Sequence, residues 1–157
     1  MNYENLVPVI GTIETIRLRS SSCDEYVLSL DTPEGPVTII LTSDTFIVDS
    51  LQMYQGMRIA AFYDSTAPAL LIYPPQHQAT LITVLQEEDS VVLKYFDTTL
   101  TAEDQSLRLN VEPSTDVTSK NGQMYACNPA NNYLLVYYSA ATRSIPPQTT
   151  PNRIIVF

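Results

Sequence analysis

A pattern of residues that occurs twice constrains the fold of this chain most strongly. Each copy is an apolar segment ending in two aromatic residues, then a turn of small residues, a Pro-Pro bend and a second apolar segment. The offset between matched residues stays between 70 and 75, which predicts an internal duplication. The matched pieces are Phe62-Tyr63 with Tyr137-Tyr138, Tyr73-Pro74-Pro75-Gln76 with Ile145-Pro146-Pro147-Gln148, and Leu81-Ile82 with Ile154-Ile155.

Short apolar segments alternate with turns along the whole chain. Residues 26–30 and 37–41 flank a turn in which Pro33 presets φ and Gly35 supplies a positive φ, so they predict a hairpin. Residues 91–96 and 106–111 predict a second hairpin in the same way. No segment shows the 3.6-residue period of an amphipathic helix over a useful length.

These patterns predict an all-β protein. We expect two tandem OB-like, five-stranded barrel-like units, residues 1–78 and 79–157, packed as one compact body. One variant of this prediction shares the strand 79–85 between the units. The alternative is a single continuous β-sandwich.

Three phrases of the sequence resemble a family of uncharacterised bacterial proteins, mostly from clostridia and their relatives. They are Gly11-Thr12-Ile13-Glu14, the stretch from Asp64 to Tyr73-Pro74-Pro75, and the stretch from Thr142 to Pro151. The resemblance covers nearly the whole chain. It implies tandem OB-like repeats and a bacterial origin. It carries no known activity, so it transfers no functional residues.

The charge of the chain argues against several partners. Eight basic and 17 acidic residues give a net charge of −9. Because Lys and Arg supply most non-specific affinity for nucleic acid, no nucleic acid is expected as a partner. Anionic membranes are disfavoured for the same reason. Single-stranded nucleic-acid binding stays a second alternative, by analogy with OB-like barrels alone.

The ends and the cysteines add two further expectations. Residues 1–5 lack the basic and apolar regions of a signal peptide, and no segment reaches the ~20 apolar residues of a transmembrane helix. We therefore expect a cytoplasmic protein. Cys23 and Cys127 are too few for a disulfide framework or a four-thiolate metal site. Four isolated glycines cannot form a phosphate-binding loop. Neither a metal nor a cofactor is expected.

His77 is the single histidine of the chain and the natural candidate for a general base. It follows the first Pro-Pro bend, where the second copy has Thr149. No nucleophile motif accompanies it, so a small His-dependent hydrolase or isomerase is only the first alternative function.

The aromatic residues suggest binding instead of catalysis. The chain has ten tyrosines and no tryptophan, and several tyrosines cluster around the two bends. A tyrosine offers apolar area with a polar tip, which suits recognition. We expect a non-enzymatic binding or assembly module for a protein, peptide or glycan. Self-association is a special case, in which the strand 154–157 pairs with a second copy. The candidate ligand-binding residues are Tyr63, Tyr73, His77, Tyr137, Tyr138 and Arg143.

Overall fold

The computed structural model describes residues 2–86 and 88–157, and it confirms the all-β prediction. Among these residues the regular elements are β-strands, apart from a 3₁₀ turn at Val48–Ser50. The chain divides into Asn5–Glu87, which we term the N-terminal unit, and Glu88–Phe157 with Met1–Glu4, which we term the C-terminal unit. No helix in the described ranges has the length and apolar character needed to span a bilayer.

The N-terminal unit contains one seven-stranded sheet. Its order is β4-β7-β5-β1-β2-β3-β6. The β3–β6 and β4–β7 pairs are parallel and the other pairs are antiparallel. The strands are β1 (Leu6–Leu18), β2 (Tyr26–Thr32), β3 (Gly35–Leu41), β4 (Phe46–Ile47), β5 (Arg58–Asp64), β6 (Gln76–Gln78) and β7 (Leu81–Val84).

The described part of the C-terminal unit contains two separate sets of paired strands. A four-stranded sheet has the order β10-β13-β11-β8, and β12 pairs with β9 in parallel. The bridges Phe96–Ala102 and Thr101–Arg108 link β8 to β9. The strands are β8 (Ser90–Phe96), β9 (Arg108–Leu109), β10 (Asp116–Ser119), β11 (Asn132–Tyr138), β12 (Gln148–Thr149) and β13 (Arg153–Val156).

The structure confirms neither of the two strand arrangements that the sequence predicts. No sheet among the described residues closes on itself, so the tandem OB-like barrels and the continuous β-sandwich both stay predictions. Each unit has its own core, one around Leu28, Ile39 and Ile59 and the other around Phe96 and Leu134. The predicted boundary after residue 78 lies inside the N-terminal unit, because β7 pairs with β4 and β5.

Two sequence-based expectations are wrong. Residues 106–111 do not form a hairpin with 91–96, because β8 pairs with β11 and the short β9 pairs with β12. Leu107 and Leu109 are instead buried in the core of the unit. The strand at the C-terminus also has no free edge for a second copy, because β13 lies between β10 and β11.

One continuous stretch of chain contributes β6, at one end of the N-terminal sheet order, and β7, which lies beside β4 at the other end. The Ala79 N–H donates to Ile40 O of β3 at 2.9 Å, and the next residue, Thr80, donates to Phe62 O of β5 at 2.8 Å. The chain therefore changes partner strands between β6 and β7. This crossing places the C-terminal end of β5 beside β6.

A buried threonine hydroxyl supports this crossing in each unit. Thr45 Oγ1 donates to Ala79 O at 2.8 Å and accepts from the Thr42 N–H at 3.0 Å. Thr115 Oγ1 likewise donates to Pro151 O at 2.8 Å and accepts from the Glu112 N–H at 3.3 Å. Each hydroxyl thus satisfies one buried backbone acceptor and one donor.

We expect Thr45→Val and Thr115→Val each to lower the free energy of unfolding by about 1–3 kcal/mol, because each leaves two backbone groups without a partner. Denaturant titration followed by circular dichroism measures the loss. The control is Thr150→Val at an exposed position. An effect no larger than the control would show that the two hydroxyls do not support the crossings.

Gly11 allows β2 to lie close against β1. A Cβ at this position would lie 2.6 Å from Asp31 O and 2.9 Å from Thr32 Cγ2. Both atoms belong to the end of β2, so the absent side chain sets where the β2–β3 turn lies over β1.

Gly11→Ala is expected to destabilise the chain by about 1–3 kcal/mol, because the backbone of β2 must move away from the added methyl group. Thermal unfolding measures this change. The neighbouring exposed Thr12→Ser should stay within about 0.5 kcal/mol of the unsubstituted chain. If the two variants melt alike, the close approach at Gly11 is not a constraint.

Candidate functional site

Tyr63 and His77 form a stacked pair at the point where β5 meets β6. Their ring centroids lie 3.7 Å apart and their planes differ by 11°. The two strands are not hydrogen-bonded neighbours in the sheet order. The contact therefore joins them through side chains, and the chain crossing at Ala79 and Thr80 brings them together.

Burial changes the protonation of His77. Desolvation lowers the pKa of the imidazole from its usual 6.5, because a half-buried site disfavours the charged form. One ring face is covered by Tyr63. The lowered pKa favours the neutral form of this packed ring.

A groove of about 660 Å³ runs beside this pair in the N-terminal unit. Its floor is the segment of β1 from Pro8 to Thr12, and one wall is the β2–β3 turn with Asp31 and Glu34. Tyr63 and Tyr73 line the groove as well. Two of the predicted ligand-binding tyrosines thus lie in one cavity.

The groove follows a part of β1 that lacks a strand partner on one side. β1 has 13 residues and β2 has 7, and the β1–β2 register stops at Thr12 paired with Asp31. On its other side β1 pairs with β5 from Leu6 to Thr12. The floor of the groove is therefore a half-open strand edge.

Alternation of the backbone shows which groups this edge presents. The Ile13 N–H donates to Met57 O at 2.9 Å, and Ile13 O accepts from the Gly56 N–H at 2.8 Å. Backbone groups of successive residues point to opposite sides of a strand, so Ile10 points its N–H and C=O away from β5. No strand pairs with Ile10 on that side within the described ranges. Pro8 presents a carbonyl alone.

Tyr73 reaches across the groove to the β2–β3 turn. Its side chain comes from the loop between β5 and β6 and is 80% exposed. Its Oη lies 3.8 Å from where a Cβ of Gly35 would lie. The ring therefore offers a large accessible surface beside the turn that carries Asp31 and Glu34.

The other predicted ligand-binding residues belong to the C-terminal unit. Tyr137 is only 4% exposed, and Arg153 lies over its ring with Cζ 5.5 Å from the centroid. Tyr138 packs against the core of the unit, and Arg143 is exposed. Tyr137 therefore has little surface left for a ligand.

In the C-terminal unit, β8 lies at the edge of the four-stranded sheet, and two of its residues are buried. The β8 residues Val91 and Leu93 are 4% and 6% exposed. Lys94 of β8 forms an ion pair with Asp104, which lies in the turn after the Phe96–Ala102 bridge.

Metal-binding groups do not cluster in the part of the chain that the structure describes. No set of three or more His, Cys, Asp and Glu residues is placed to hold an ion there. Cys23 and Cys127 are free and exposed.

Comparison with protein-family models and with curated proteins finds no match to this chain. The resemblance to the clostridial family stays a prediction.

Sequence reasoning missed Ile10, Asp31 and Glu34. A short β2 opposite a long β1 creates the open edge, and strand ends are poorly defined by sequence patterns. The sequence predicts a turn between residues 30 and 37. Its position over the groove depends on the close approach of the end of β2 to Gly11.

His77 predicts a pH dependence of stability. Between pH 6.5 and the lower pKa of the folded state, the unfolded chain binds more protons, so stability should fall as the pH falls. Denaturant midpoints between pH about 7.5 and about 5.5 measure this dependence. His77→Phe keeps a stacking ring and should flatten the profile. A variant profile as steep as that of the unsubstituted chain would contradict this assignment.

Proposed function

We propose that the chain is a non-enzymatic binding module that takes an extended peptide segment in the groove of its N-terminal unit. The observation that carries the proposal is the half-open edge of β1 on the groove floor. Ile10 offers one donor and one acceptor at the spacing of a strand ladder. A peptide backbone matches this pair of groups, as in binding by strand addition.

The side chains around the edge favour an extended peptide as the ligand over a glycan or a flat protein surface. Tyr63 and Tyr73 supply aromatic surface, and four prolines also line the cavity. Rigid residues of this kind lose little conformational entropy when a ligand packs on them. The stacked His77 fixes one face of Tyr63, so the groove is preorganised on that side.

We also propose that each unit is an OB-like barrel opened on one side. The support is the order of pairing, in which β5-β1-β2-β3-β6 runs consecutively and the chain crosses from β6 to β7 beside β5. The C-terminal unit repeats this order with shorter pairings. A long first strand shared by two neighbours is what leaves an edge for a ligand in such a unit.

Selection from a random peptide library on the immobilised chain tests the binding function. We expect peptides that bind in solution by fluorescence anisotropy and that lose about tenfold in affinity with Tyr73→Ala, since an exposed aromatic anchor contributes about 1–2 kcal/mol. The matched control is Tyr54→Ala, a tyrosine 57% exposed that lines a different cavity.

Two outcomes would reject the proposed function. One is a selection that yields no peptide with measurable affinity. The other is a set of peptides that bind Tyr73→Ala and Tyr54→Ala equally well, which would place their site outside the groove.

A further inference from the structure

The charge of the groove wall indicates what kind of peptide fits. Asp31 lies near the end of β2 and Glu34 lies in the β2–β3 turn, and both are exposed. Neither carboxylate forms an ion pair or hydrogen bond with the described residues. The basic residue among those lining the groove is Arg58, whose Nη1 donates to Gln86 O at 2.9 Å. The described part of the N-terminal unit has eight acidic and three basic residues, so its field favours a cation.

The C-terminal unit shows how such a turn is neutralised. In the sheet registers, Gly11 pairs with Ile59 and Lys94 pairs with Leu134. Since Ile59 and Leu134 are matched positions on β5 and β11, Gly11 and Lys94 are matched as well. Lys94 forms an ion pair with Asp104 of the adjoining turn. The pKa of Asp104 is lowered to about 2, against desolvation, by hydrogen bonds from Lys94 and Ser106 and by the charge of Lys94.

The N-terminal unit lacks this internal cation. Gly11 has no side chain, and the close approach of Asp31 O leaves no room for one. The carboxylates of Asp31 and Glu34 thus face a groove whose own basic residue is Arg58, with no lysine at the position matched to Lys94. This inference rests on the proposed function. We propose that the groove selects peptides that carry a lysine or arginine. The cationic side chain lies between the Tyr73 ring and the carboxylates of Asp31 and Glu34.

The geometry of the edge allows this placement. Ile10 is two residues from Thr12, whose partner is Asp31, so a peptide residue beside Ile10 lies about 7 Å along the strand from Asp31. A lysine or arginine side chain can span that distance. The exposed Tyr73 ring supplies a face for a cation–π contact beside the same turn.

The test uses the peptides selected on the intact chain. Each is resynthesised with its lysine and arginine residues replaced by glutamine, and both forms are titrated by fluorescence anisotropy. We expect the cationic form to bind roughly three- to tenfold more tightly, since two partly exposed charge pairs contribute about 1 kcal/mol in total. The preference should shrink as salt rises towards about 1 M.

A matched pair of protein variants locates the effect. Asp31→Asn with Glu34→Gln should remove most of the preference for the cationic form. Glu14→Gln with Asp44→Asn removes the same charge from exposed positions that do not line the groove, and should leave the preference nearly unchanged.

The outcomes separate the inference from the proposed function. Peptides that depend on Tyr73 but bind equally with glutamine would overturn the cationic preference and leave peptide binding in place. Equal loss in the two double variants would also overturn it, because the net charge alone would then explain the preference. A failure to select any Tyr73-dependent peptide would overturn both.

Discussion

The hydrogen bonds at the crossing of residues 79 and 80 determine the arrangement of the N-terminal unit. Two adjacent residues donate backbone hydrogen bonds to different strands: Ala79 donates to β3 and Thr80 donates to β5. This brings β6 next to the end of β5 although the two strands do not share a ladder. The side-chain stack of Tyr63 on His77 fills that junction. In the C-terminal unit, Pro151 O receives the same threonine support as Ala79 O.

The groove follows from this crossing together with the unequal lengths of β1 and β2. Where β2 ends, β1 keeps its pairing with β5 and loses its partner on the other side. Gly11 holds the β2–β3 turn against β1, and the loop that returns to β6 carries Tyr73 to the same place. In the proposed function, recognition depends on backbone groups of β1 and on a few side chains that the strands position. Pro8 limits the length of ladder that a bound strand can form, because it lacks an N–H.

Much of the framework could be predicted from the sequence. The doubled pattern and the lack of helical periodicity predict an all-β chain, and the turn around Pro33 and Gly35 predicts the β2–β3 hairpin that the structure contains. The aromatic cluster at the first bend includes Tyr63 and Tyr73, and both of these candidate residues line the groove. The same reasoning did not anticipate the burial of Tyr137, which takes the place of the buried Phe62 when Phe62-Tyr63 is matched with Tyr137-Tyr138.

Other features depend on long-range geometry that local patterns do not contain. Segment 106–111 alternates apolar and polar residues, and Leu107 and Leu109 are buried as this alternation indicates. Only Arg108–Leu109 forms a strand, and its partner is the distant β12. Ile10 is an ordinary strand residue by sequence, and only the end of β2 exposes its backbone groups. Asp31 and Glu34 belong to a common turn, and the absence of a matching lysine is visible only when the two units are compared in register.

Amide chemical shifts would test the central claim most directly. A ¹⁵N-labelled sample titrated with a selected cationic peptide should show its largest changes at Ile10 and along the β2–β3 turn, with slowed hydrogen exchange of the Ile10 amide. Changes confined to residues outside the groove, such as Leu18 and Met53 of the separate cavity, with an unaltered Ile10 amide, would contradict strand addition at β1.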